Sequence, residues 1–220
     1  MKQQKKISLY AGIGLMAAFV IWTLLVRFVD VQSIGPEGSS VGFATLNACV
    51  HELTGVHFGL YLFIDYVSIL PFLVILGFGL TGLIQWIKRK SFLKVDYDIL
   101  VLGGFYAAVL AFYVLFEVVV LNYRPVLIEG VLEASYPSST TMLVLCVMLT
   151  ALMLLWNRIG NQTAKIVIAI AILAFTAFMV IGRLISGVHW VTDIIGGALL
   201  SASLVTLYAF FCGLKKTRQK

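Results

Sequence analysis

The sequence predicts an all-α, polytopic membrane protein: one integral domain over residues 1–220, with six transmembrane helices and both termini in the cytoplasm. Three observations predict it. Hydrophobic residues make up 61% of the chain and charged residues only 12%, with a mean hydropathy of +1.02, more apolar material than a water-soluble core of this size encloses. The apolar residues fall in runs of about 20 or more, enough to cross a hydrocarbon layer about 30 Å thick. Thirteen of the 16 basic residues gather in the N-terminal leader, the turns after the second and fourth runs, and the C-terminal tail, as the positive-inside bias requires. The net charge of +6 thus reports orientation rather than an acidic soluble partner.

Met1-Lys2-Gln3-Gln4-Lys5-Lys6 leads into an apolar run from Ile7 to about Val29. A secretory leader begins similarly, but its core is shorter and ends at a small-residue cleavage site. No such site precedes Arg27, so the run reads as an uncleaved first span. Residues 30–58 are mixed, with Gly35-Pro36-Glu37-Gly38-Ser39-Ser40 as a loop. The second run, Gly59 to Ile87, exceeds what an upright span needs; Tyr61 to Asp65 is expected at the interface, and Pro71 is expected to kink the helix. Lys88-Arg89-Lys90 stops it. The third span covers Asp98 to Leu121 and leads through Asn122-Tyr123-Arg124-Pro125 to Tyr136-Pro137-Ser138-Ser139-Thr140. Hydroxyl residues after a proline mark a helix start there, with Thr140 read as a cap. The fourth span ends at Trp156, the fifth runs from Lys165 to about Ile185, and the sixth from His189 to Gly213.

Several smaller patterns read as structure. Cys49, Cys146 and Cys212 match neither a zinc site nor a disulfide framework. Gly77-Phe78-Gly79-Leu80-Thr81-Gly82 spells a dinucleotide fingerprint, but inside an apolar span with no strand before it, and so reads as helix packing; Gly197 and Ser201 read the same way. Trp22, Trp86, Trp156 and Trp190 fall near span ends, as interface anchors do. No basic-aromatic stripe points to nucleic acid, and no pattern fixes an oligomeric state.

Chemistry concentrates in Gly182-Arg183-Leu184-Ile185-Ser186-Gly187-Val188-His189-Trp190-Val191-Thr192-Asp193. Ser186-Gly187 reads as a turn, with Arg183 closing one helix and His189 opening the next. A spacing of four puts His189 and Asp193 on one helical face, the carboxylate aimed at the imidazole. A carboxylate on one ring nitrogen leaves the other free to attack an electrophile, and an arginine beside it suits phosphate. In the expected topology Arg124, Ser138, Ser139, Arg183, His189 and Asp193 all emerge on the non-cytoplasmic face.

Arg124-Pro125, then Pro137-Ser138-Ser139-Thr140, then Arg183 to Asp193 resemble, in order and spacing, the signature of the type 2 phosphatidic acid phosphatase superfamily of membrane lipid phosphatases. The third block keeps Arg183, His189 and Asp193 at the family spacing, with Gly182 in place of serine. The first keeps Arg124-Pro125 but has Glu117 where the family has lysine. The second keeps Pro137-Ser138, with Ser139 for glycine and Thr140 for histidine. The resemblance covers residues 98–213. It implies hydrolysis of a lipid phosphate ester or isoprenyl diphosphate, without metal or cofactor, at the outer face of the cell membrane. His189 would form a phosphohistidine oriented by Asp193, and Arg124, Arg183, Ser138 and Ser139 would hold the phosphate oxygens. Thr140 cannot act as the acid that the family's histidine provides. Glu117 reads as an ion-pair partner of Arg124 or Arg183, or as a replacement acid; His51 and His57, in the first outer loop, are other proton sources. The rival reading is a member without turnover that binds phospholipid headgroups or acts as a scaffold. The two substitutions favour that rival, and the intact His189, Asp193, Arg124 and Arg183 oppose it.

Overall fold

The computed structural model describes residues 2–218; Met1, Gln219 and Lys220, the ends of the basic leader and tail, lie outside the described residues. Among the described residues there are eight α-helices: α1 (Lys2–Phe28), α2 (Ala44–Thr54), α3 (Phe58–Val67), α4 (Ile69–Arg89), α5 (Tyr97–Val118), α6 (Ser139–Arg158), α7 (Gln162–Ile185) and α8 (Val191–Arg218). Six stretches are long and apolar enough to cross a membrane: Lys6–Phe28, Phe58–Arg89, Tyr97–Val118, Ser139–Arg158, Gln162–Ile185 and Val191–Leu214. The chain is an integral membrane protein of six spans.

α6 and α8 form the centre. α1 lies along α8, α5 packs against both, α7 covers α6, and α4 leans on α5 and α6. Lipid tails are as apolar as leucine, so helices associate here through close packing and interhelical hydrogen bonds. α1 meets α8 where Gly12 faces Leu207, whose Cδ2 would stand 2.7 Å from an added Cβ, and Ser203 Oγ donates to the Gly12 carbonyl at 2.9 Å. α6 meets α8 where Gly197 abuts Thr141 and Ser201 Oγ donates to Met142 O at 3.3 Å, so the small residues at 197 and 201 do serve helix packing. Of the glycines at 77, 79 and 82, only Gly82 packs, against Ile99 on α5; around the other two a Cβ would meet nothing. At the bundle end formed by the C-termini of α4 and α6, Arg89 pairs with Asp96 at 2.8 Å and Arg158 with Asp98 at 2.9 Å.

Four features differ from the sequence-based expectation. The long second run is two helices, broken at Ser68. Pro71, third in α4, has no N–H to give, and its ring crowds the Val67 carbonyl. Residues 44–54, expected within a mixed loop, form α2 and place Cys49 on a helix. α5 ends at Val118, short of Leu121, and residues 122–135 fold back as a hairpin with bridges Tyr123–Ala134 and Ile128–Val131. Its tip, Glu129 and Gly130, has φ of +50° and +80°, the two positive values of a type I′ turn. Finally, Trp22 and Trp190 are not lipid-interface anchors: Trp22 Nε1 donates to Thr192 O at 3.1 Å, and the buried Trp190 donates to Tyr123 O at 2.8 Å.

Candidate functional site

α7 ends at Ile185, and the chain turns at Ser186-Gly187 as expected. Gly187 is needed there: its φ is +68°, and a Cβ would stand 1.8 Å from the Gly55 carbonyl oxygen. The same contact docks the link between α2 and α3 on the turn, with His57 N–H donating to Ser186 O at 3.0 Å. α8 starts at Val191, so His189 precedes the helix instead of opening it. Trp190 caps α8, and Asp193 reaches back to its N–H through Oδ2 at 3.0 Å, half of a capping box. This return brings Asp193 Oδ2 within 3.7 Å of His189 Nδ1, with both side chains buried.

Ser135, from the far strand of the hairpin, stands between them. Its Oγ is 3.0 Å from His189 Nδ1 and donates to Asp193 Oδ2. The hairpin sets Ser135 and Arg124 together, because Ser135 N–H donates to Asn122 O at 2.9 Å and Arg124 N–H to Glu133 O at 3.1 Å. Tyr136 fixes the strand to the bundle: its ring lies on Gly196, where a Cβ would come within 2.6 Å, and its phenol donates to Thr23 Oγ1 at 2.7 Å. Thr23 gives its own hydrogen to Phe19 O, which leaves the phenol as the donor.

The cations converge on the same place. Arg183, in the last turn of α7, is 2% exposed and Arg124 is 9% exposed. The Tyr61 ring on α3 lies beside both, with guanidinium carbons 5.0 Å and 5.9 Å from its centroid. α3 gets this close to α7 because Gly182 leaves room for Ile64, whose Cδ1 would stand 2.7 Å from a Cβ; this is the position where the family signature has serine. Arg124 pairs with Glu133 at 3.1 Å. Nε and Nη1 of both arginines, and Nε2 of His189, are buried without a hydrogen-bond partner among the described residues. Burial first, then the charges of Arg183 and Arg124, holds the His189 imidazole well below the ordinary histidine range. His189 is therefore neutral near pH 7, with a ring nitrogen available in the field of two cations.

A cavity of about 580 Å³ opens over Arg124 and Arg183, walled by Asp65, Tyr113, Glu117, Ser139 and Thr140. It shares Phe72, Tyr113 and Leu143 with an apolar cavity of about 420 Å³. That cavity in turn shares Ile75 and Tyr106 with one of about 440 Å³ floored by Gly79, Gly82, Gly103 and Gly104 and reaching Trp86. The three adjoin one another through these shared residues along α4 and α5, and the row they make runs down α4. From Phe72 to Trp86 it spans about 21 Å at the helical rise, roughly two thirds of a hydrocarbon core.

The residues singled out in the sequence separate into groups here. His189 lies against Asp193 and within the field of Arg124 and Arg183; the two arginines line the cavity, whereas His189 and Asp193 are buried and are not among its lining residues. Ser139 and Thr140 line the cavity, but Ser138 does not: it is fully buried, its Oγ accepts from Thr141 N–H as the cap of α6, and its N–H donates to Asp193 O at 3.0 Å. The cap is thus Ser138 rather than Thr140. Glu117 is exposed on the cavity wall and makes no ion pair with either arginine; the carboxylate on Arg124 is Glu133. Glu117 and Arg124 are seven residues apart, about two helical turns, but α5 ends at Val118 and leaves Arg124 outside the helix. His51 packs its ring 5.4 Å from Trp190, and His57 bonds locally to Thr54 O; neither borders the cavity. Sequence reasoning missed Ser135, Glu133, Tyr61 and Asp65. Only Asp65 carried a signal, as an acidic residue within an apolar run.

The site thus lies in a six-span helical bundle, with Arg124 and Arg183 lining a polar cavity that adjoins two apolar ones. The sequence profile of the PAP2 superfamily matches residues 122–215. The transmembrane PAP2-type phosphatidylglycerolphosphate phosphatase from Bacillus subtilis has a similar structure, with a TM-score of 0.67 and 19% sequence identity over 93% of this chain and 96% of that one. No curated protein matches the sequence. The segment that matches the PAP2 profile carries Arg124, Ser138, Arg183, His189 and Asp193.

Proposed function

We propose that the chain is a lipid phosphatase that works through a phosphohistidine at the non-cytoplasmic face of the cell membrane, with lipid diphosphates as its preferred substrates. The observation that carries this is the neutral His189, its Nε2 buried and without a hydrogen-bond partner, within the field of Arg183 and Arg124, which line a cavity adjoining two apolar ones. The face follows from the basic residues, which favour cytoplasmic termini and so an outward site.

In the first step the Nε2 lone pair bonds to the terminal phosphorus, and the bond from phosphorus to the leaving oxygen breaks, with its electron pair going to the lipid. Arg124 and Arg183 hold the equatorial oxygens, where phosphoryl transfer needs positioning and charge stabilisation. In the second step water attacks the phosphohistidine, dihydrogen phosphate departs with both hydrogens, and Nε2 recovers its lone pair. Thr140 has no acidic proton to give the leaving group. A monoester expels an alkoxide, which needs one; a diphosphate expels a phosphate monoester whose second pKa is about 6, and this leaves near neutral pH without help.

The test offers purified protein a panel of lipid monophosphates and diphosphates in the presence of chelator and follows phosphate release. We expect turnover of diphosphates, an acid-labile phosphoenzyme in a rapid quench, and loss of both in His189→Ala with the fold retained. Headgroup binding without turnover of any lipid would instead identify a binding or scaffold protein. Full activity in His189→Ala would end the phosphohistidine mechanism.

A further inference from the structure

We infer that Ser135 is a positioning residue: its hydroxyl, interposed between His189 and Asp193, fixes which imidazole nitrogen carries the proton. The inference stands on three contacts. His189 Nδ1 and Asp193 Oδ2 are 3.7 Å apart, beyond the roughly 3.2 Å limit of an N–H···O hydrogen bond. Ser135 Oγ touches both, at 3.0 Å from Nδ1 and in a bond to Oδ2. Ser135 is 3% exposed and anchored through its backbone N–H, so the hydroxyl is held where it is.

A hydroxyl has one hydrogen to give and two lone pairs. The Ser135 hydroxyl donates to Asp193 Oδ2, so its one hydrogen is committed there. Oγ then presents lone pairs to Nδ1, and Nδ1 must be the nitrogen that bears hydrogen. Nε2 is left bare, and Nε2 is the buried, unpartnered atom in the field of the arginines. The chain of donors runs Nδ1–H to Ser135 Oγ–H to Asp193, with Trp190 N–H as the second donor to the same carboxylate oxygen. When Nε2 bonds to phosphorus the imidazole becomes positive. The carboxylate meets that charge through the hydroxyl, and no proton has to move. The hydrogen-bond geometry is independent of the substrate, while the rate effect rests on the proposed function.

The tautomer is read directly from 15N-histidine NMR of the detergent-solubilised full chain without substrate, with the His189 signals assigned by their loss in His189→Gln. We expect a pyrrole-type Nδ1 and a pyridine-type Nε2 in the unmodified protein. Ser135→Ala should give a mixture of tautomers and lower kcat by about 10- to 100-fold, with KM within about twofold. Ser135→Thr, which keeps the hydroxyl, should restore both spectrum and rate. If Ser135→Ala does not fold, the spectra of the unmodified protein and Ser135→Thr decide. A pyrrole-type Nε2 in the unmodified protein overturns the inference, as does a Ser135→Ala variant with unchanged spectrum and kcat. Absence of turnover on every lipid, with the tautomer as expected, counts against the function alone.

Discussion

Replacing Asn47 by leucine tests whether the turn that carries His189 and Asp193 depends on a helix that holds none of the signature residues. Asn47 lies on α2 and is fully buried. Its Nδ2 donates to Gly42 O at 2.8 Å and to Thr192 Oγ1 at 3.0 Å, and its Oδ1 accepts from Thr192 N–H at 3.3 Å. Thr192 is the second residue of α8, and its amide belongs to the first turn, where no carbonyl within the helix is available. Asn47 therefore caps α8 from outside, one residue before Asp193. Leucine keeps the volume but removes three hydrogen bonds and strands the Thr192 N–H and the Gly42 carbonyl in a buried place. At about 1 kcal/mol for the bond to Thr192 Oγ1, and about 1–3 kcal/mol for each of the two stranded groups, the cost is about 3–7 kcal/mol. Thermal unfolding in detergent should fall by several degrees, and kcat/KM should fall by about tenfold or more as the Asp193 turn loosens. Asn47→Asp, which keeps the acceptor for Thr192 N–H, should fall between. An Asn47→Leu protein with unchanged unfolding midpoint and kcat/KM would refute the view that α2 braces the site.

Two further outcomes are expected. Thr140→His, which restores the family's residue in the cavity wall, should raise kcat/KM for a monophosphate relative to a diphosphate on the same tail by about tenfold or more, because it supplies an acid to the leaving alkoxide; a monophosphate that is already the better substrate of the unmodified protein would contradict this. Gly103→Leu, at a position where a Cβ meets no protein atom, should leave the fold intact yet lower kcat/KM about tenfold for long-tailed substrates and spare short-tailed ones; equal loss on both would show that the apolar cavities do not seat the tail.

The spans were legible because hydropathy and basic turns report the solvent around each helix, and both are local properties. The order Arg124, Arg183, His189, Asp193 was legible for a related reason: the last three are close in sequence, and a capping turn keeps His189 and Asp193 near each other even though the helix starts after the histidine. Residues whose role depends on a distant partner were not. α2 is short, and what holds it is a buried amide bonded to a residue 145 positions away. Ser135 looks like an ordinary loop serine until the hairpin folds, and Tyr61 meets the arginines only because Gly182 admits Ile64. Glu117 misled for the converse reason. Its spacing from Arg124 suggested a shared helical face, but the helix stops before that relation can form. The tryptophans read as interface anchors because their position along the span was visible, while the carbonyls that receive their N–H groups were not.

The hairpin between α5 and α6 has a consequence for how such a protein diversifies. Its base, the Tyr123–Ala134 bridge, sets Arg124 and Ser135 in register, and its tip, Ile128 to Val131, closes on itself with two hydrogen bonds of 3.1 Å and 2.8 Å. The geometry needed for reaction is thus clamped at the root, and the loop beyond it can be lengthened, shortened or exchanged without moving the reacting groups. Leu132 and Glu133, just above the clamp, already border the cavity. In the proposed reaction, headgroup selectivity and reactivity would then be carried by separable modules, and tip grafts between relatives would be a route to new substrates on unaltered chemistry.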